Sequence, residues 1–244
     1  MKFAKTITCS VIFLIAGCQS IPIYVPDHKV FVDGDTLVYD GMISGEAVLE
    51  ALRAVRESNT QVKKLAITSQ GGDMSAGIEL GFFIKEHNWD VEVRELCFSA
   101  CANYVLPAAK SVTIDANSLL GWHGGAMQPD ELWAHSIPKS SRAVFMDYIA
   151  MLREKETRFF DTVGVDQNIT TYGQTTKNSC QLAQKTDGWY YSVEDLKRMG
   201  IKNITIKGDG LLSEIEYAND STNKTDPTTH KIKSCLMENV FESG

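Results

Sequence analysis

Three features of this 244-residue chain could carry chemistry: Ser99 between Cys97 and Cys101, His123 between Trp122 and Gly124, and the pair Gly71-Gly72. A serine hydroxyl within reach of an imidazole is an activated nucleophile. The ring takes the hydroxyl proton as the oxygen attacks a carbonyl. The oxyanion that then develops needs hydrogen-bond donors already in place. Ser99 stands where a strand pattern at Val91 and Val93 gives way to an apolar helix beginning at Ala100. A helix start carries unpaired N–H groups and positive dipole, so the N–H of Ala100 is one candidate donor. Gly72 is the second, because no side chain keeps its backbone from approaching a substrate. His123 is the candidate general base.

These residues act together only if the fold brings them to one end of a sheet. The pattern upstream of them supports that. Residues 29–32 and 37–39 read as strands around the turn dipeptide Asp33-Gly34. Residues 44–58 read as a helix capped by Ser44, with Val48, Leu49, Leu52 and Val55 on its inner face. A strand at 64–69 ends at Gly71-Gly72, and a second helix at 75–88 turns Ile78, Phe82 and Phe83 inward. Short strands at 91–93 and 112–114 flank a helix at 100–109, and Leu119 to Trp122 is another apolar run. Strands alternating with helices of this length predict an α/β domain with mostly parallel pairing. Residues 125–180 are more polar and helix-rich. The segment 139–163 repeats Val144, Met146, Ile149, Met151, Leu152, Phe159 and Phe160 at helical intervals. Residues 219–230, rich in Asn, Asp, Ser and Thr, read as a loop or a disordered stretch.

The start of the chain reads as an export signal. Lys2 and Lys5 precede an apolar run at 7–16, and Gly17 offers a small residue at a cut site. That run is short for a bilayer span, which needs about 20 apolar residues. Leu14-Ile15-Ala16-Gly17-Cys18 resembles the lipobox of bacterial lipoproteins, and Gln19 follows the cysteine. The resemblance implies lipid attachment at Cys18 and an outer-membrane address facing the periplasm. The predicted organisation is a signal peptide at 1–17, a lipidated tether at 18–28 with Pro22 and Pro26, a main domain at 29–206, and a partly disordered tail at 207–244. The net charge is −7, with 43% hydrophobic and 23% charged residues. This is a globular composition without the basic face that a nucleic-acid binder needs. Outside the cytoplasm Cys97, Cys101, Cys180 and Cys235 are expected to form disulfides. Four cysteines allow three full pairings, and the sequence does not choose among them.

Residues 30–206 resemble the ClpP-type serine peptidases of the ClpP/crotonase fold. Ile67-Thr68-Ser69-Gln70-Gly71-Gly72, with Ala76-Gly77 after it, is similar to the family's Ser-Pro-Gly-Gly strand end and following helix. Gln70 replaces the proline. Cys97-Phe98-Ser99-Ala100-Cys101-Ala102 occupies the place of the nucleophile segment, and His123 follows at a matching gap. The likeness is greatest to exported ClpP-like proteins with a Ser-Ala-Cys segment. Asp187, Trp189, Tyr190 and Ser192 look like the junction after the family's helical handle, with Asp187 matching after a one-residue shift.

The resemblance implies repeated ββα units, a mostly parallel sheet and a handle at about 125–180. It implies Ser99 as nucleophile, His123 as base, Asp187 orienting His123, and Gly72 with Ala100 as the oxyanion hole. No metal or cofactor is implied. The substrate would be a peptide or an unfolded protein, cut without an ATPase motor. Self-association through the handle is also implied. The alternative reading is a non-catalytic binding or scaffolding lipoprotein on the same fold. A crotonase-type acyl-CoA enzyme fits less well, since the sequence shows no basic patch for CoA phosphates.

Overall fold

The computed structural model describes residues 23–24, 28–175, 179–219, 228–238 and 240–241. The leader at 1–17, Cys18 and most of the 18–28 tether lie outside the described residues. A two-residue strand β1 (Ile23–Tyr24) is followed by the expected hairpin. Strands β2 (His28–Asp33) and β3 (Thr36–Gly41) pair antiparallel, with Asp33 opposite Thr36 across a turn in which Gly34 takes φ 60°. Ser44 then caps α1 (Gly45–Glu57): its Oγ accepts from the Ala47 N–H at 3.2 Å. The buried face of α1 is Ala47, Val48 and Ala51. Leu49, expected inward, is instead 65% exposed. It sits about 100° round the helix from Val48, far enough to leave the face that contacts the sheet.

Strand β4 (Lys64–Ser69) pairs parallel with β3 and leads through Gly71-Gly72 to α2 (Met74–His87), where Asp73 accepts from the Ala76 N–H at 2.7 Å. Strand β5 (Asp90–Phe98) is longer than its two valines suggest. Leu96, Cys97 and Phe98 extend it as a run buried on both faces. It pairs parallel with β4 on one side. On its other side it pairs first with β6 (Ser111–Ile114) and then, at Leu96–Phe98, with β7 (Leu119–Gly121). Between β5 and β6 the chain forms a π-helix (Cys101–Val105) and a short α3 (Leu106–Ala108) where one plain helix was expected.

The described part of 125–180 is helix-rich, as expected: α4 (Asp130–Ser136), α5 (Arg142–Val163), a 3-10 turn (Gln167–Thr170), α6 (Tyr172–Thr175) and the start of α7 (Cys180–Gln184). Helix α5 buries Ile149, Leu152, Glu156, Phe159 and Phe160. Its C-terminal half crosses α2 closely: a Cβ on Gly81 would lie 2.6 Å from the Phe159 ring. Val144 and Met151, part of the expected apolar pattern, are 76% and 64% exposed. Each lies off the buried row at 149, 152, 156 and 159.

Strand β8 (Gly188–Tyr191), α8 (Val193–Arg198) and β9 (Ile204–Ile206) follow, and β9 completes the main sheet in the order β2-β3-β4-β5-β6-β9. Every pairing in it after the hairpin is parallel. The fold is therefore α/β with a mostly parallel sheet and a helical insertion. The expected tail at 207–244 is corrected in its described part. Strands β10 (Glu214–Asn219) and β11 (Thr228–Met237) pair antiparallel, and β11 runs parallel to β8 in a second sheet ordered β1-β10-β11-β8. Apolar and charged residues alternate here, and the charges pair across the strands, with Lys233 2.8 Å from Glu214. Residues 220–227, the centre of the predicted loop, lie outside the described residues. Ile215, Tyr217 and Ile232 pack with Leu96, Phe98 and Leu119, so the second sheet braces the end of β5.

The cysteines pair as Cys97–Cys101 and Cys180–Cys235. Among the described residues no helix is long and apolar enough to cross a membrane.

Candidate active site

Ser99 directly follows the end of β5, and with Ala100 it makes the two-residue turn into the helix that opens at Cys101. Its backbone is left-handed, φ 59°, which costs a non-glycine residue on the order of 1 kcal/mol. Local main-chain bonds hold it there. Its N–H donates to Gly121 O at 2.9 Å, and its carbonyl accepts from the Asn103 N–H at 2.8 Å. The sharp turn lifts the side chain out of the sheet plane. β7, paired with the last residues of β5, delivers His123 beside it. His123 Nε2 lies 2.6 Å from Ser99 Oγ.

His123 is an exposed residue whose ring is covered on one face. Phe98 stacks on one face, with ring centroids 5.2 Å apart and planes 9° from parallel. Loss of hydration lowers its pKa below the ordinary 6.5, against the opposing pulls of its own carbonyl and the negative field of Asp187. A neutral ring can accept the serine proton through Nε2 when Nδ1 carries the hydrogen.

The glycine pair divides its work. Gly71, φ 93°, backs onto the serine turn: a Cβ there would lie 2.6 Å from both Phe98 O and Ser99 Cβ. Gly72, φ 148°, faces the other way, where a Cβ would lie 2.2 Å from Ile43 O. The bonds Ile43 N–H to Gly71 O and Asp73 N–H to Ile43 O, both 2.8 Å, tie this strand end to Ile43. Alternate N–H groups of an extended chain point to opposite sides, so the N–H of Gly72 points away from Ile43. Among the described residues neither the N–H of Gly72 nor that of Ala100 donates to a protein acceptor.

Asp187 is not in hydrogen-bond contact with His123 among the described residues. Its Oδ2 accepts from the Lys233 N–H at 2.8 Å, and its own N–H donates to Lys233 O at 2.9 Å. The parallel register of β8 and β11 makes that exchange, and it turns the carboxylate toward the second sheet. Asp187 therefore reaches the imidazole through its field alone.

Other groups, not singled out in the sequence, position the segment that carries His123. Asn103 Nδ2 donates to Gly124 O at 2.8 Å, and Gln174 Nε2 donates to His123 O at 2.9 Å. Buried Glu156 accepts from the Tyr104 hydroxyl at 2.8 Å and from the Ala126 N–H at 3.2 Å. Burial raises its carboxyl above the ordinary range, against those bonds. Arg153 holds the same segment through Ala126 O and Gln128 O. Asn103 was legible in principle, being one helical turn after Ser99. Glu156, Arg153 and Gln174 leave no local signal, because they come from the distant handle.

No protein-family model matches the chain, and no curated protein matches it. Solved structures do. An enoyl-CoA hydratase from Thermoplasma volcanium GSS1 superposes at TM-score 0.33 and 10% identity, over 51% of this chain and 63% of that one. A protein assigned to the enoyl-CoA hydratases/isomerases from Novosphingobium aromaticivorans DSM 12444 gives 0.35 and 12%, over 71% and 99%. Pseudomonas aeruginosa AtuE gives 0.37 and 9%, over 75% and 71%. The chain thus spans less than two thirds of the first of these. Likeness at these scores carries no inference about activity.

Proposed function

We propose that the protein is a lipid-anchored serine hydrolase of the peptidase type. The observation that carries the reading is the 2.6 Å contact between Ser99 Oγ and His123 Nε2. In the proposed reaction Ser99 Oγ attacks a substrate carbonyl as His123 takes its proton. The free N–H groups of Gly72 and Ala100 receive the oxyanion. His123 then returns the proton to the leaving amine, and a water, activated by the same ring, releases the acyl group from Ser99. The depressed pKa of His123 suits this role, since it keeps the base neutral at neutral pH. The field of Asp187 stabilises the imidazolium without a direct bond. The substrate class is a peptide or a loosely structured chain, taken without a motor, and the handle mediates self-association.

The test is labelling of the purified mature chain by a fluorophosphonate probe. The parent should label and Ser99→Ala should not. An unlabelled parent ends the hydrolase reading. Anchoring at Cys18 on the periplasmic face of the outer membrane is tested separately, because Cys18→Ser should move the protein from the membrane to the soluble fraction.

A second reading has one observation in its favour. The Asp187 carboxylate is occupied by the Lys233 N–H, as fits a binding or scaffolding lipoprotein that keeps the fold without turnover. Under that reading peptides bind the parent and Ser99→Ala alike, and no acyl-enzyme forms.

A further inference from the structure

We propose that the Cys97–Cys101 disulfide is a positioning element for the nucleophile: it fixes the left-handed turn at Ser99 and the direction of the Ala100 N–H. The proposal rests on the reading of Ser99 as nucleophile.

The disulfide brackets the serine. Cys97 lies inside β5, in register with Ser69 of β4 and Leu120 of β7, so its position is set by the sheet on both sides. Cys101 opens the π-helix, directly after Ala100. The bridge therefore joins the end of the strand to the start of the helix across the three residues that hold the attacking oxygen and one oxyanion donor. Both sulfur-bearing residues are fully buried.

The bridge is poorly placed to stabilise the chain as a whole. It spans only four positions, whereas Cys180–Cys235 spans 55, and the entropic effect of a cross-link grows with the loop it closes. What a short bridge does well is remove local freedom, and the turn has a local problem. Ser99 sits at φ 59°, a conformation that a serine leaves when it is allowed to. Two main-chain hydrogen bonds oppose that relaxation, to Gly121 O and from Asn103 N. Gly71 supplies a wall behind the turn without pulling on it. The disulfide is the covalent restraint. A relaxed turn would swing Ser99 Oγ from the 2.6 Å line to His123 and turn the Ala100 N–H away together.

The experiment compares the parent chain with Cys97→Ala/Cys101→Ala under the fluorophosphonate probe, across probe concentrations and pH. The maximal labelling rate should fall about 10²-fold, the cost of displacing a reacting atom by about an ångström. The half-saturating probe concentration should change by less than about threefold, because ground-state binding is not what the bridge controls. The midpoint of the acid limb should stay put, since burial, its own carbonyl and the field of Asp187 set the shift of His123, and the contact with Ser99 does not. A variant that labels at the parental rate overturns the proposal. Cys97→Val/Cys101→Ala fills the vacated space and replaces the alanine pair if that pair does not fold. If neither folds, the bridge is a folding staple and the proposal fails. If the parent itself does not label, the hydrolase reading falls, and amide hydrogen exchange decides the positional claim. Faster exchange at Asn103 in the variant, with β4 unchanged, supports it, and identical exchange overturns it.

Discussion

Gly71→Ala tests whether the serine turn is held from behind. The added Cβ would lie 2.6 Å from Phe98 O, 2.6 Å from Ser99 Cβ and 2.9 Å from Ala100 N, and two of these are backbone atoms that no side-chain rotation can move. Non-bonded contact settles at about 3.5 Å, so the turn or the Gly71 strand must retreat by about 0.9 Å. Two costs follow. Alanine at φ 93° is strained by roughly 1–2 kcal/mol. Overpacking against a fixed backbone adds about 1–3 kcal/mol. The expected destabilisation is therefore about 2–5 kcal/mol by denaturant titration, and the retreat lowers the labelling rate of Ser99 by about 10²-fold. Gly164→Ala is the matched control. Its φ is 73° but nothing lies within 4 Å of the new Cβ, so it carries the strain alone and leaves labelling unchanged. A Gly71→Ala chain that labels at the parental rate would refute the claim that this glycine exists to let the turn approach.

Two further predictions concern the base and the second sheet. The pKa of His123 is held below 6.5, so its contribution to stability is present above that value and is lost as pH falls beneath it, where the unfolded chain binds more protons. The acid limb of labelling should accordingly have its midpoint below 6.5. Asp187→Asn removes an upward pull and should move that midpoint lower still, as read by imidazole NMR, and an upward move contradicts the assignment of the field. Removing Cys180–Cys235 as a pair of alanines should cost about 4 kcal/mol by the chain-entropy estimate, against about 2 kcal/mol for Cys97–Cys101. Denaturant midpoints that rank the two in the opposite order would show that loop closure does not govern either bridge.

What the sequence displays is set by the range of the interaction. The hairpin at Asp33-Gly34, the Ser44 cap and the strand–helix alternation up to His123 rest on neighbours within a turn or a strand, and they stand where their patterns place them. Leu49 was misplaced because a hydrophobic face read from spacing has an uncertainty of one residue, and only contact with the sheet fixes it. The second sheet was hidden for a different reason. The Glu214–Asn219 strand carries two charges in six residues, the run beyond it is polar, and the compensation for those charges lies on β11. The disulfide pairing was open for the same reason: Cys180 and Cys235 meet only once α7 and β11 are placed.

The orientation of His123 shows how a long-range pairing alters chemistry. In a hydrogen-bonded triad the carboxylate fixes both tautomer and ring orientation. Here the Asp187 oxygen is satisfied by the Lys233 N–H, so those tasks fall to packing and to the main chain. Phe98 lies parallel against the imidazole, and Gln174 holds the His123 carbonyl. Phe98 in turn needs space. A Cβ on Gly121 would come within 2.6 Å of its ring, and one on Gly188 within 2.8 Å. The residues that hold the ring and its own carbonyl, or make room for that contact, are therefore two glycines, a phenylalanine and a glutamine. None carries a titratable group, and a search for a third acid passes over all of them. The same arrangement explains why Asp187 should tune the pKa of His123 without fixing its pose: the ring is already clamped by neighbours that do not change charge.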